Sequence, residues 1–167
     1  MMKKATTQLP TIFSIYAEDK KGLVGQILVH FNKRSYEMLS LNVARTDISD
    51  LVMLTLEAVV PATGLSPFVK RLKKIVEVYA VQTYGDNLKK TGFYRLESAA
   101  LTNELWLLIG KYGAHLSSLG EGTFVISKTG SDDDLAELYR RLEGPYLLGF
   151  CKSGLIVEES LVPFEEL

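Results

Sequence analysis

Cysteine occurs once in this chain of 167 residues, at Cys151, so an intrachain disulfide is excluded. A lone thiol suits a reducing compartment, and an inert, buried Cys151 is the expectation. Histidine occurs only at His30 and His115, in different halves, with no acid or cysteine at motif spacing. That argues against a histidine-based catalytic or metal centre. No apolar run approaches the ~20 residues of a membrane span. The opening MMKKATTQLP has two lysines but no apolar stretch of a secretory signal. An excess of one charge is missing as well: 19 basic residues face 20 acidic ones, a net charge of −1. The first 85 residues carry 11 basic and 7 acidic side chains, the rest 8 and 13, a mild asymmetry that gives nucleic-acid binding little support. The expected address is the cytoplasm.

What the chain does have is hydrophobic residues, 47% of the total, enough for a packed core. Their spacing gives the order of elements. Ile12 to Ala17 reads as a strand with Phe13, Ile15 and Ala17 on one face. Helix 22–34 places Leu23, Val24, Ile27, Leu28 and Phe31 on one stripe. Strand 36–45 points Leu39, Leu41 and Val43 inward, with Ser40 and Asn42 opposite; strand 51–60 follows. Ser66 offers a helix cap and Pro67 a first helical position, leading into a helix that buries Phe68, Val69, Leu72, Ile75 and Val76. Strand 77–84 closes the unit.

The second half repeats the plan. Phe93 to Ser98 reads as a strand and Leu101 to Tyr112 as a helix with Leu101, Leu105, Leu108, Ile109 and Tyr112 on one side. His115 to Leu119 and Thr123 to Lys128 form a hairpin around Gly120-Glu121-Gly122. Ser131 caps a helix with Asp132-Asp133-Asp134 in its first turn and Arg140 and Arg141 in its last, both matched to the helix dipole. Tyr146 to Val157 supplies the last strand. The expected fold is α+β: two tandem ferredoxin-like βαββαβ units, each an antiparallel sheet with helices on one face. The boundaries are 1–85, a linker 86–92, and 93–167. Units this small bury a modest share of their surface and leave open edges, so pairing of strand 36–45 with its copy predicts a homodimer.

Three motifs resemble one family. EDKKGLVGQILVHFNKR is a polar loop, glycine and helix; SLNVARTD ends the second strand; VKRLKKIVEVYAVQ runs from helix into strand. With TGSDDDLAELYRRLE and CKSGLIVEE in the second half, the chain resembles the small regulatory subunit of acetolactate (acetohydroxyacid) synthase, an ACT-domain family, over nearly its whole length. The resemblance implies that the first unit is an ACT domain for effector binding and dimerisation. It implies a non-catalytic subunit that activates the catalytic large subunit and mediates valine-type feedback in branched-chain amino-acid synthesis. Thiamine diphosphate, Mg²⁺ and FAD are then expected on that partner, with no cofactor or metal on this chain.

The effector site implied comprises Asp19, Gly22, Leu23, Val24, Glu37 and Met38. Backbone N–H groups of Gly22, Leu23 and Val24 at a helix start favour a carboxylate, and Gly22 permits close approach. Asp19 or Glu37 would take the ammonium, and Leu23 and Met38 an aliphatic side chain, with Glu37 and Met38 reaching in from the other subunit. The chain departs from the family at Ser35-Tyr36-Glu37-Met38, where Gly-Tyr-Asn-Ile is common. Glu37 would repel a ligand carboxylate and attract an ammonium.

Other signals have plainer readings. Asp132-Asp133-Asp134 diverge around a helix and suit its N-terminus better than a metal. Lys70, Arg71, Lys73 and Lys74 read as a solvated face. Gly120-Glu121-Gly122 is too short for a phosphate loop. Trp106 lies one residue off its helix's apolar stripe, in keeping with a place at an interface border. Two rivals remain: a stand-alone tandem ACT amino-acid sensor with another partner, and a small dimeric ferredoxin-like enzyme using His30 or His115.

Overall fold

The computed structural model describes residues 8–85 and 88–161. Of these, 8–85 with 156–161 form one compact unit and 88–155 another. The first contains β1 (Thr11–Glu18), α1 (Leu23–Lys33), β2 (Glu37–Arg45), β3 (Leu51–Val59), α2 (Ala62–Lys73) and β4 (Val78–Tyr84). Its sheet is antiparallel, in the order β2-β3-β1-β4. The second contains β5 (Lys90–Glu97), α3 (Asn103–Lys111), β6 (His115–Leu119), β7 (Thr123–Gly130), α4 (Asp132–Leu142) and β8 (Leu147–Gly154), in the equivalent order β6-β7-β5-β8. The expected tandem βαββαβ architecture is present in both.

Aromatic packing centres the first core. Phe31 meets Phe13 at 5.4 Å and Phe68 at 4.8 Å, and Tyr36 meets Phe68 at 5.1 Å, all edge to face. Such pairs add ~0.5–1.5 kcal/mol each beyond the area they bury. Leu23, Ile27 and Phe31 of α1 and Phe68 and Leu72 of α2 seal one face of the sheet. A register shift between Tyr16 and Ala17 lets Val78 and Val81, three residues apart, join that same core.

Several expectations need correction. α2 starts at Ala62 with Pro61 as its cap, so Pro67 lies inside the helix and Ser66 is not the cap. Packing of Phe68 and Leu72 against Phe13 and Phe31 outweighs the hydrogen bond that Pro67 cannot donate. Val76 is 88% exposed because α2 has already ended, while Ile75 reaches the core. Leu39, Leu41 and Val43 remain 49%, 37% and 46% exposed. Leu41 and Val43 share the helix side of the sheet with their partners Leu56 and Leu54, but on the outermost strand, and Leu39 falls at the register shift between Met38 and Ser40. Cys151 is exposed on edge strand β8 rather than buried.

Of the expected linker 86–92, residues 86 and 87 lie outside the described residues, and Lys90, Thr91 and Gly92 belong to β5. The last strand is shorter than expected. Beyond Gly154 the chain turns back to the first unit, where Ile156 packs against Tyr16, Leu51 and Met53. Tyr16 donates its hydroxyl to Ser160 O at 2.8 Å, and Ser160 Oγ donates to Val157 O at 2.6 Å. The tail thus closes part of the sheet face away from the helices. In the second unit, Thr102 caps α3 by accepting from Leu105 N–H, and Ser131 and Asp134 form a complete capping box on α4.

Candidate functional site

The loop after β1 and the turn between β2 and β3 are stitched together at one end of the first sheet. Asp19 N–H donates to Asp50 O at 2.8 Å, and Arg45 Nε lies 3.8 Å from the Asp19 carboxylate. Thr46 Oγ donates to Leu51 O at 2.9 Å and holds the turn closed. Asp50 sits at φ 61°, a left-handed conformation that aspartate tolerates better than most residues. Between these groups lies a hollow of 260 Å³ lined by Asp19, Arg45, Thr46, Ile48, Ser49 and Asp50, together with Leu51. One guanidinium and two carboxylates share its rim, charges of both signs that suit a zwitterionic head group.

The loop that follows Asp19 leads into α1. Gly22 is its N-cap at φ 85°, and a side chain there would meet nothing within 4 Å. Space and a left-handed backbone therefore coincide at the helix start, where N–H groups lack intrahelical partners. Leu23 N–H is already engaged by Lys20 O at 3.1 Å, and the Leu23 side chain lies in the core, 3% exposed. Val24 is partly buried against the same core.

Glu37 and Met38 lie elsewhere. Glu37 pairs with Val59 and Arg45 with Val52, so Glu37 occupies the opposite end of β2. Nine residues of strand put it roughly 25 Å from Arg45. Glu37 is exposed, and Met38 is half-buried against the first core. Within one chain, then, Asp19 lines the hollow, Gly22 and Val24 follow it at the start of α1 without lining it, and Glu37 and Met38 lie at the far end of β2. Arg45, Thr46 and Asp50 line the hollow with Asp19, and none of them is among the residues expected from the sequence. The SLNVARTD motif held two of them, but only the register shows that they meet the Asp19 loop.

The two histidines belong to different units. His30 is on α1 of the first unit and His115 on β6 of the second. Burial, then the nearby Arg34, Lys33 and Arg71 charges, lower the His30 pKa and keep its ring neutral at pH 7. Among the described residues no group of three or more His, Cys, Asp or Glu side chains is placed to hold a metal ion. Asp132 instead pairs with Lys90 at 3.0 Å and Lys152 at 2.6 Å. Burial opposes its ionisation, but the hydrogen bonds from those two ammonium groups outweigh it and hold the carboxyl below its usual range. Among the described residues no helix is long and apolar enough to cross a membrane.

No protein-family model matches the chain. Among curated proteins it is 25% identical over 150 residues to the acetolactate synthase small subunit of Haemophilus influenzae, spanning 87% of this chain and 92% of that one. It is 24% identical over 147 residues to the acetolactate synthase small subunit of Mycolicibacterium smegmatis, spanning 86% of each. Over 74 residues it reaches 32% identity with the acetolactate synthase isozyme 3 small subunit of Escherichia coli, 44% of this chain and 45% of that one. The crystal structure of the acetolactate synthase small subunit from Thermotoga maritima superposes with a TM-score of 0.76 at 15% identity, over 87% of this chain and 93% of that one. In sequence over most of its length, and in its tandem ferredoxin-like fold, the chain is similar to acetolactate synthase small subunits.

Proposed function

We propose that this chain is a non-catalytic regulatory subunit of acetolactate synthase, which pairs with the catalytic large subunit, raises its activity and transmits amino-acid feedback. The observation that carries the reading is the similarity to small subunits of that enzyme over 86–87% of the chain. The thiamine diphosphate, Mg²⁺ and FAD belong to the catalytic partner in this reading, and the complex works in the cytoplasm.

The effector site proposed is shared between two copies. Antiparallel two-fold pairing of β2 would set the Glu37 end of one copy beside the Arg45 end of the other. Asp19, Gly22, Leu23 and Val24 of one protomer would then face Glu37 and Met38 of its partner, although they are far apart within a chain. The exposed row Leu39, Leu41 and Val43 supports that pairing. Burying what remains open of each side chain contributes roughly 1 kcal/mol. Because Leu23 is engaged within its own chain, the open part of the site consists of Gly22, Val24 and the Asp19–Arg45 pair. An amino acid bridging the two copies would act by binding one dimer arrangement better than another, and a coupling of ~1–3 kcal/mol suffices.

The test is to mix the full chain with purified acetolactate synthase catalytic subunit and measure pyruvate condensation with and without valine. Stimulation by the added chain is expected, and none would overturn the assignment. Glu37→Asn should strengthen the valine response by removing the negative charge from the seam. An unchanged dose curve would remove Glu37 from the site.

A further inference from the structure

The second unit has a hollow of its own, of 580 Å³, larger than that at the Asp19 loop and within the ~300–1,000 Å³ of small-molecule sites. Its apolar lining comes from Leu96, Leu105, Leu108 and Leu142, with Ala99, Ala100 and Pro145 at the sides. Leu96, Leu105 and Leu142 are core residues, so the hollow opens onto the core itself. It lies where α3 begins and α4 ends, and charges of both signs line it. Arg141 is the cation, and Glu104 and Glu143 are the acids.

These charges select among ligand classes. Among the described residues Arg141 is anchored through one side: its Nε–H donates to Tyr112 Oη at 3.0 Å, and Tyr112 in turn donates to Glu137 at 3.2 Å. Its terminal NH₂ groups are left to meet a carboxylate as a fork. A simple carboxylate would also face Glu104 and Glu143, and a simple amine would face Arg141. A zwitterion satisfies both signs at once, and the leucine-lined interior receives an aliphatic side chain. We propose that this hollow is a second small-molecule site, specific for an α-amino acid with an aliphatic side chain, its carboxylate on Arg141 and its ammonium on Glu143. This site shares no residue with the seam proposed on the first unit and does not depend on the regulatory reading.

The experiment is an amide-resonance titration of the isotope-labelled full chain with L-leucine. Isocaproate, isoamylamine and glycine serve as probes lacking the ammonium, the carboxylate and the side chain. Leucine should move resonances at 99–105 and 141–147, and each truncated probe should bind at least about tenfold more weakly. Arg141→Gln should weaken leucine about tenfold with partial recovery in Arg141→Lys, and Ala99→Trp should abolish binding by filling the hollow. The spectrum of each variant reports whether it is folded. Isocaproate binding as tightly as leucine, or no response at these residues at ~10 mM, would overturn the proposal. Shifts confined to 19–24 and 45–51 would also overturn it while supporting the first-unit site, so the two readings fail separately.

Discussion

Strand order is the same in both units, yet their sheets are covered differently. In the first, β1 and β3 are buried on both faces: Phe13, Ile15, Leu54 and Leu56 meet the helices, while Ile12, Tyr16, Leu51 and Met53 are buried on the other side. In the second, β5 alternates. Tyr94 and Leu96 point into the core, and Phe93, Arg95 and Glu97 are exposed. Continuous apolar runs such as LVMLTLEAV mark a sheet covered twice, and alternation marks one wet on one side. The tail at 156–161 supplies part of the extra cover in the first unit. That cover has a cost, because the buried hydroxyls of Ser14 and Thr55, paired across β1 and β3, have no hydrogen-bond partner among the described residues.

The largest test of this contrast is Phe68→Ala, which empties the centre of the aromatic cluster. It should destabilise the first unit by ~3–5 kcal/mol. Trp106, the single tryptophan, reports on the second unit by fluorescence, while circular dichroism follows both. The dichroism midpoint should fall in denaturant with the Trp106 midpoint unmoved. A Trp106 signal shifting in step would show one cooperative block in place of two.

Next comes the open edge. Leu41→Lys with Val43→Lys should weaken self-association at least about a hundredfold, ~3 kcal/mol, by sedimentation. Unchanged association would place the interface off β2. Cap chemistry offers a smaller contrast. Ser131→Ala removes the capping box of α4 and should cost ~1 kcal/mol, whereas Gly22→Ala should cost a similar amount by backbone strain alone. Ser131→Gly recovers part of the first loss, and Gly22→Asn should cost less than Gly22→Ala, because asparagine tolerates the left-handed backbone better.

Each unit also ties one tyrosine to a backbone carbonyl: Tyr16 to Ser160 and Tyr94 to Leu135. Replacing either with Phe should cost ~1 kcal/mol. Tyr16→Phe should also speed proteolysis of the tail, which Tyr94→Phe should leave alone. Burial raises the Tyr94 pKa from 10.0 to about 12. The unfolded chain therefore releases this proton first. The stability it contributes is complete below pH 10 and is lost as pH rises towards 12. Tyr94→Phe should flatten that alkaline loss in the second unit. The smallest effect expected is a gain: Ser35, at φ 52° after α1, should be replaced by Gly with ~0.5–1 kcal/mol of added stability.

Much of the fold was legible because the local signals agreed. The α1 stripe, the Ser131 capping box and the Gly120-Glu121-Gly122 turn each specify their element from within a few residues. Legibility failed where the deciding partner was distant. Pro67 reads as a helix start until Phe13 and Phe31 hold Phe68 in place. Leu39, Leu41 and Val43 read as core because alternation shows which side chains share a face without showing whether anything covers it. The candidate site was half legible: Gly22 and Asp19 announce a loop and helix start, while Arg45 joins them only through strand register.

The sequence alone determined the order of elements and the polarity of each helix, because periodicity and capping act over one or two turns. Tertiary structure alone decided which apolar faces were closed, that the chain after Gly154 returns to the first unit, and that Glu37 stands a strand's length from Asp19. Those outcomes depend on contacts between residues distant in sequence, whose pairing no local pattern encodes.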